Sequence, residues 1–387
     1  MSAPVEGLET ALRPFGSSTM LPGAAYTSDA VLAWERRHLF AGSWLCLGRT
    51  AELADGVTQR AVMAGDLSVL LTFPGSREFE SARDEQRGRT ASSITDGPRA
   101  FANVCRHRAH EVVDPGAAHD RPALVCPYHG WSYELTGELK AAPRMGPDLA
   151  RGELGLVGLP AHDWHGWTFV NATATARPFT EHLGSLDALV APYRPEELVV
   201  KARHRYEVAA NWKVAVENYH ECYHCPQIHP ALCAVSPPNS GDNYPADGAW
   251  VGGAMELREH AVTMSLDGSS RGIPIAGADP RTVRYLGLFP NLLLSLHPDY
   301  VLTHVLEPLA PARTRITCEW LFPAAVADPT YAVEFWDLTN RQDWAACESV
   351  QRGVSSPHYR PGPLAPNEDA VYDWITLIAR AYHEGSR

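Results

Sequence analysis

Two short runs constrain this chain more than any other feature. Cys105 and His107 lie in NVCRHR, and Cys126 and His129 lie in CPYHGW, with eighteen residues between His107 and Cys126. Each run offers one thiolate and one imidazole on a tight turn. A [2Fe–2S] cluster of mixed ligation needs this set, two Cys on one iron and two His on the other. Neutral imidazoles raise its potential above that of all-thiolate clusters. A Cys₂His₂ zinc site uses the same ligand types, but zinc ligands more often come as like pairs, C-x₂₋₄-C and H-x₃₋₅-H. Gly130 and Trp131 follow the second run, where a small residue lets the backbone approach inorganic sulfide. Arg108, His110 and His119 are expected at the surface or beside the ligands.

A second dense segment, NWKVAVENYHECYHCPQIHP, covers residues 211–230. Residues 211–224 have helical spacing, which would put Glu221 and His224 on one face. Pro226 forces the helix to end or kink, letting His229 swing toward His224. Two imidazoles with a carboxylate from elsewhere make the facial triad of non-haem iron oxygenases, which leaves positions open for O₂. Cys222 and Cys225 form C-x-x-C, which also suits a redox dithiol or zinc. No βαβ pattern precedes it, so a thioredoxin-like role is disfavoured. His220 is a further possible ligand.

The rest of the chain frames these segments. Its 387 residues leave room for two or three domains and a sizeable core. The net charge of −12 argues against nucleic acid and anionic lipid as partners. No run of apolar residues is long enough to span a membrane, and the N-terminus lacks the pattern of a secretory signal. Eight cysteines are too sparse for a disulfide scaffold. A cytoplasmic setting is expected. Ser28 reads as an N-cap before a helix. Short β-type runs such as SVLLTF and WTFV then define an all-β unit. A polar stretch, residues 75–98, interrupts it as a long exposed hairpin loop or a locally disordered insertion. Beyond residue 200, strands 201–208, NLLLSLHPDYVLTHVLEPLA and RTRITCEWLF precede a long amphipathic helix over 329–354.

The two constellations, in this order, resemble the α subunits of Rieske non-haem iron oxygenases. NVCRHR…CPYHGW, NWK…EN…ECYHC…HP and TNRQDWAACESVQRG carry the resemblance. It implies an α+β fold: residues 1–43 as an N-terminal segment on the catalytic domain, 44–160 as an all-β Rieske [2Fe–2S] domain, and 161–387 as a helix-grip-type catalytic domain with an antiparallel sheet and flanking helices. It implies Cys105, His107, Cys126 and His129 as cluster ligands, and His224, His229 and Asp343 as ligands of a mononuclear Fe(II). Asp337 is a weaker alternative for the third. Glu221 matches a carboxylate that bridges His224 to His129 of a neighbouring subunit. Asn218 matches an asparagine lining the iron pocket.

The resemblance further implies a head-to-tail homotrimer and a separate NAD(P)H-dependent reductase, with or without a ferredoxin. No trusted GxGxxG is present, so a nucleotide site of its own is not expected. The ENYHECYHC core and the EFWDLTN…ESVQRG…YRPGP tail look closest to the members acting on glycine betaine, stachydrine and carnitine. That predicts hydroxylation of an N-methyl group with loss of formaldehyde. Tyr219, Tyr223, Trp250 and Tyr300 are the aromatic candidates for holding the cation. The other enzyme reading is hydroxylation of an aromatic or other small apolar compound. Readings of other classes are a non-catalytic Rieske electron carrier and a zinc-stabilised binding protein.

Overall fold

A computed structural model describes residues 2–73, 97–245 and 247–384. Nearly all of the polar stretch 75–98 therefore lies outside the described residues. The chain divides into two compact units, Arg36–Ala176 and a unit in which Met1–Glu35 joins Arg177–Arg387.

The smaller unit is built from short antiparallel strands. Five of them form a sheet in the order Ala118–His119, Gln59–Ala64, Leu67–Thr72, Arg99–Ala102, Gly158–Leu159. A second sheet holds Leu124–Val125, Ser132–Tyr133 and Leu139–Ala141. A third pairs Trp167–Val170 with Leu45–Arg49 and Ala161–Trp164. Leu70, Phe101, Val112, Leu124, Trp131 and Tyr133 are buried together with Cys105 and Cys126. The two thiols thus belong to the core of this unit, and the small sheets hold up the loops that carry them.

In the larger unit a seven-stranded antiparallel sheet runs Val199–Val208, Arg313–Phe322, Val301–Ala310, Leu292–Leu296, Thr282–Leu288, Trp250–Glu256, Asp242–Asn243. The long strands foreseen around 301–322 pair directly, Val301 opposite Leu321 and Glu307 opposite Arg315. Three helices matter for the site: α1 (Trp212–Tyr219), α2 (Thr330–Val354) and α3 (Asp369–Glu384). Asn211 caps α1 by accepting from the Lys213 amide at 3.0 Å. The side chain of Gln351 on α2 receives the Asn211 amide at 2.8 Å, and Glu348 receives that of Ala209 at 3.1 Å. The start of α1 is therefore fixed by the end of α2.

The N-terminal residues are bound into this unit by a buried ion pair. Lys213 Nζ is 2.5 Å from Glu35, which also accepts from Trp212 Nε1 at 2.9 Å and from the Tyr382 hydroxyl. Ser28 does cap the helix Asp29–Glu35, its Oγ accepting from the Val31 amide at 3.4 Å. No described helix is long and apolar enough to cross a membrane.

Candidate metal centres and substrate cavity

The two Cys/His runs fold into the same turn. In each, the Cys amide donates to the carbonyl five residues on, Cys105 to His110 and Cys126 to Trp131, both at 2.8 Å. In each, the residue four on returns a bond to the Cys carbonyl, Ala109 at 3.0 Å and Gly130 at 3.1 Å. That residue has positive φ, 59° at Ala109 and 73° at Gly130. Glycine takes this conformation freely, and alanine takes it at some cost.

The turns bring the four nominated groups together. Both thiols are buried, and burial pushes the Cys126 thiol up in pKa, helped by the Cys105 sulfur beside it. The His107 and His129 ring centroids lie 4.6 Å apart. His107 is half-buried, stacked on Trp131 at 4.9 Å, and its buried Nδ1 has no hydrogen-bond partner among the described residues. His129 is exposed. Two buried thiols with a partnerless buried imidazole nitrogen are the donor set a [2Fe–2S] cluster would satisfy. Tyr133 was not nominated from the sequence. Its hydroxyl lies 3.2 Å from Cys105 Sγ and accepts from the Arg106 amide at 3.0 Å. Arg108 stands over the Tyr128 ring, and His110 is exposed.

The second site corrects one expectation. Helix α1 ends at Tyr219, and His220 caps it. Glu221 and His224 are therefore not on one helix. Glu221 instead closes the following turn: its Oε2 accepts from the amides of Tyr223 and His224, and its Oε1 meets His224 Nδ1. Cys222 and Cys225, on either side of His224 and Tyr223, are joined by a disulfide, so C-x-x-C is here neither a dithiol nor a zinc clasp. Pro226 starts the turn Cys225–Ile228, and Pro230 starts the helix Pro230–Val235. His229 sits between them with φ −120° and ψ 64°, excluded from helical geometry by the proline that follows it.

His224, His229 and Asp343 converge, with one ligand atom from each lying within 4.8 Å of the others. Asp343 Oδ1 is 2.8 Å from His229 Nε2 and 3.4 Å from His224 Nε2. Each imidazole is held from behind. Glu221 engages Nδ1 of His224, and the side-chain oxygen of Gln342 lies 2.8 Å from Nδ1 of His229. With Nδ1 assigned as the donor in both rings, the two Nε2 lone pairs face Asp343, the arrangement a divalent metal requires. Burial lowers the His224 pKa, but its contacts with Asp343 and Glu221 outweigh this and push it up to about 9. The cluster of groups is short of positive charge, and an iron ion fits it. Asp337 is elsewhere: it takes the Tyr206 hydroxyl at 2.6 Å and Arg341 Nε at 2.8 Å.

The site opens on a cavity of about 230 Å³. Asn218, Tyr219, Tyr285 and Trp336 line it. Of the aromatic candidates, Tyr219 is therefore at the cavity. Tyr223 is exposed, and Trp250 and Tyr300 are core residues. Tyr300 acts from behind, its hydroxyl receiving Trp336 Nε1 at 2.8 Å. Tyr285 and Trp336 were missed, because on a strand and a helix of mixed apolar residues nothing local marks which ring faces a void.

A buried thiol–imidazole cradle in one unit and a two-His, one-carboxylate group in the other define a redox metalloprotein with two separate iron sites. The chain belongs to the Rieske-type oxygenases: residues 43–160 match the Rieske [2Fe-2S] domain, and residues 195–384 match the ring hydroxylating alpha subunit catalytic domain. It is 33% identical over 358 residues to the carnitine monooxygenase oxygenase subunit of Escherichia coli K12, covering 88% of this chain and 85% of that one. It is 29% identical over 404 residues to the glycine betaine monooxygenase oxygenase subunit of Chromohalobacter salexigens, covering 93% and 86%. Among solved structures, a quaternary ammonium Rieske monooxygenase, described in terms of carnitine oxidation and inter-subunit electron transfer, superposes with a TM-score of 0.75 at 21% identity, covering 98% of this chain and all of the other. The chain carries a [2Fe–2S] cluster and a mononuclear iron.

Proposed function

We propose that this chain is the oxygenase subunit of a system that hydroxylates an N-methyl group of a quaternary ammonium compound. One oxygen atom of O₂ enters a methyl C–H bond and the other leaves as water, with uptake of two electrons and two protons. The carbinolamine then releases formaldehyde and a proton, leaving the tertiary amine. The observation that carries this reading is the convergence of His224, His229 and Asp343 beside a cavity walled by Tyr219, Tyr285 and Trp336. Aromatic faces attract a desolvated cation, and the relatives named for glycine betaine and carnitine support the substrate class.

The residues take these roles. Cys105, Cys126, His107 and His129 hold the cluster; His224, His229 and Asp343 hold the iron. Bound there, the cluster supplies single electrons and the ferrous ion supplies the chemistry of dioxygen. Glu221 fixes the tautomer and orientation of His224. Asn218 lines the wall nearby. In a head-to-tail homotrimer the exposed His129 would meet the partner subunit's Glu221, and its exposure supports that reading. Electrons come from NAD(P)H through a separate reductase, with or without a ferredoxin.

The test is oxygen uptake by the holoenzyme with a surrogate reductase, across trimethylammonium compounds and arenes, with formaldehyde assayed. Formaldehyde equal to oxygen consumed supports demethylation. A hydroxylated arene without formaldehyde from any amine overturns it in favour of ring hydroxylation.

A further inference from the structure

An oxygen-activating iron with no oxidisable bond in reach is left with oxidising equivalents, whichever substrate it normally meets. The residues nearest to it are then the ones at risk. In the larger unit a line of ring contacts leads away from that point. Tyr219 lines the cavity together with His224, His229 and Asp343. Its ring lies 5.9 Å from that of His304, which lies 6.4 Å from Trp344, which lies 6.0 Å from Tyr206. All are ordinary ring-contact distances. Trp344 follows Asp343 directly on α2, and both line a small void of about 30 Å³ with Tyr219 and His304. Trp344 also lines a surface groove, shared with Tyr206 and Arg341. One indole therefore borders both the void beside Asp343 and the outside of the molecule.

The rings differ in what they can do with a proton, and that decides where an oxidising equivalent comes to rest. A phenol gives up an electron readily only when a base stands ready for its proton. The Tyr219 hydroxyl donates to the Leu294 carbonyl at 2.9 Å and lies 2.9 Å from Ser295 Oγ, neither of them base enough. The Trp344 N–H is buried with no partner among the described residues, so an oxidised indole keeps its proton and passes the charge on. Tyr206 is half-buried at the groove, and its hydroxyl donates to Asp337 Oδ1 at 2.6 Å. Arg341 holds the other oxygen of that carboxylate at 2.8 Å. Along this line, phenol, base and access from outside coincide only at Tyr206. A second run of rings, Trp336, Tyr300 and Tyr331, also leaves the cavity and ends with the Tyr331 hydroxyl on Asp299. That run ends in the core, where Tyr331 is buried and Thr263 and Ser270 also donate to Asp299.

We propose that Trp344 and Tyr206 form a discharge path that protects the iron site when oxygen is activated without substrate. For each oxidising equivalent, one electron passes from Trp344 to the iron site and is replaced from Tyr206. The Tyr206 O–H bond breaks, its proton crosses to Asp337, and a neutral phenoxyl radical remains. At the groove a small thiolate returns one electron and Asp337 returns the proton. Two thiolates so oxidised combine as a disulfide. Two such cycles dispose of a two-electron oxidant and leave the protein as it began.

The experiment mixes the reduced holoenzyme with hydrogen peroxide in the absence of substrate, freezes it within the first moments, and records the electron paramagnetic resonance spectrum. The parent chain is compared with Tyr206→Phe, Trp344→Phe and Tyr331→Phe, each first shown to hold the parent's content of iron and sulfide. A tyrosyl signal is expected in the parent, narrowed when the protein is grown on ring-deuterated tyrosine. It should be lost in Tyr206→Phe, greatly reduced in Trp344→Phe and kept in Tyr331→Phe. Peptide mass spectrometry after repeated peroxide exposure should show more oxidation of Tyr219, His224 and His229 in the first two variants than in the parent, and a small thiol should lessen that damage only where Tyr206 and Trp344 are both present. A signal that survives in Tyr206→Phe, a signal lost in Tyr331→Phe, or equal damage in parent and Tyr206→Phe overturns the proposal.

Discussion

His229 Nε2 stands 2.8 Å from Asp343 Oδ1, although 113 residues lie between them in the chain. Helix α2 delivers the carboxylate, and the pair of prolines around His229 delivers the imidazole. Replacing His229 with Ala is expected to remove the mononuclear iron, since two donors do not hold a labile ferrous ion well. The cluster lies in another unit and should stay. Iron and acid-labile sulfide analysis checks this: the iron-to-sulfide ratio should fall while the visible cluster absorption is unchanged. Parallel loss of both would refute the assignment of His229.

Glu221 touches His224 from the side away from Asp343, so it orients a ligand without being one. Glu221→Ala is expected to retain both metals and lose most turnover, on the order of 10–100-fold, the usual effect of removing a partner behind a metal-bound histidine. Steady-state formaldehyde release, with metal content measured on the same sample, decides it. Normal turnover would end the bridging role.

The Tyr133 hydroxyl beside Cys105 offers a hydrogen bond to a cluster sulfur. Such a bond favours the more negative, reduced state. Tyr133→Phe should therefore keep the cluster but make it harder to reduce, by about 1 kcal/mol, or tens of millivolts. Redox titration of the cluster absorption reads the shift. A potential that stays put or rises would show that the hydroxyl makes no such bond.

Glu217, buried on α1, accepts from the Tyr26 hydroxyl at 2.9 Å, yet burial dominates and raises its carboxyl from 4.5 to about 7. The folded chain thus holds a proton there that the unfolded chain has released. The stability this lends is full below about pH 4.5 and is lost as pH rises through about 7, on the order of 3 kcal/mol at most. Glu217→Gln should flatten that part of the pH dependence. Thermal melts between pH 5 and 8 check it; an unchanged slope in the variant counts against the assignment.

The sequence exposed whatever chemistry makes rare. Thiols interleaved with imidazoles at C-x-H and C-x-x-H have few uses, so the cluster loops could be read directly, as could the 301–322 hairpin and helix α2 from their periodicity. Glu221 and His224 were legible as residues but not in their geometry: helical spacing continues past Tyr219, while the chain turns at His220 and the Cys222–Cys225 link closes the next loop. Gln342, Tyr133, Tyr285 and Trp336 were illegible because each acquires its role from a partner far away in the chain. Trp250 and Tyr300 show the converse, since a large aromatic residue in a strand or beside one looks the same whether it lines a void or fills the core.

The two cluster turns are built alike yet end unlike, one imidazole laid flat on Trp131 and the other bare to solvent. That asymmetry gives the small unit a front and a back. Among the described residues, Tyr128, His129 and Gly130 form an exposed rim at the second turn, and a redox partner that docks there is expected to exchange electrons through His129.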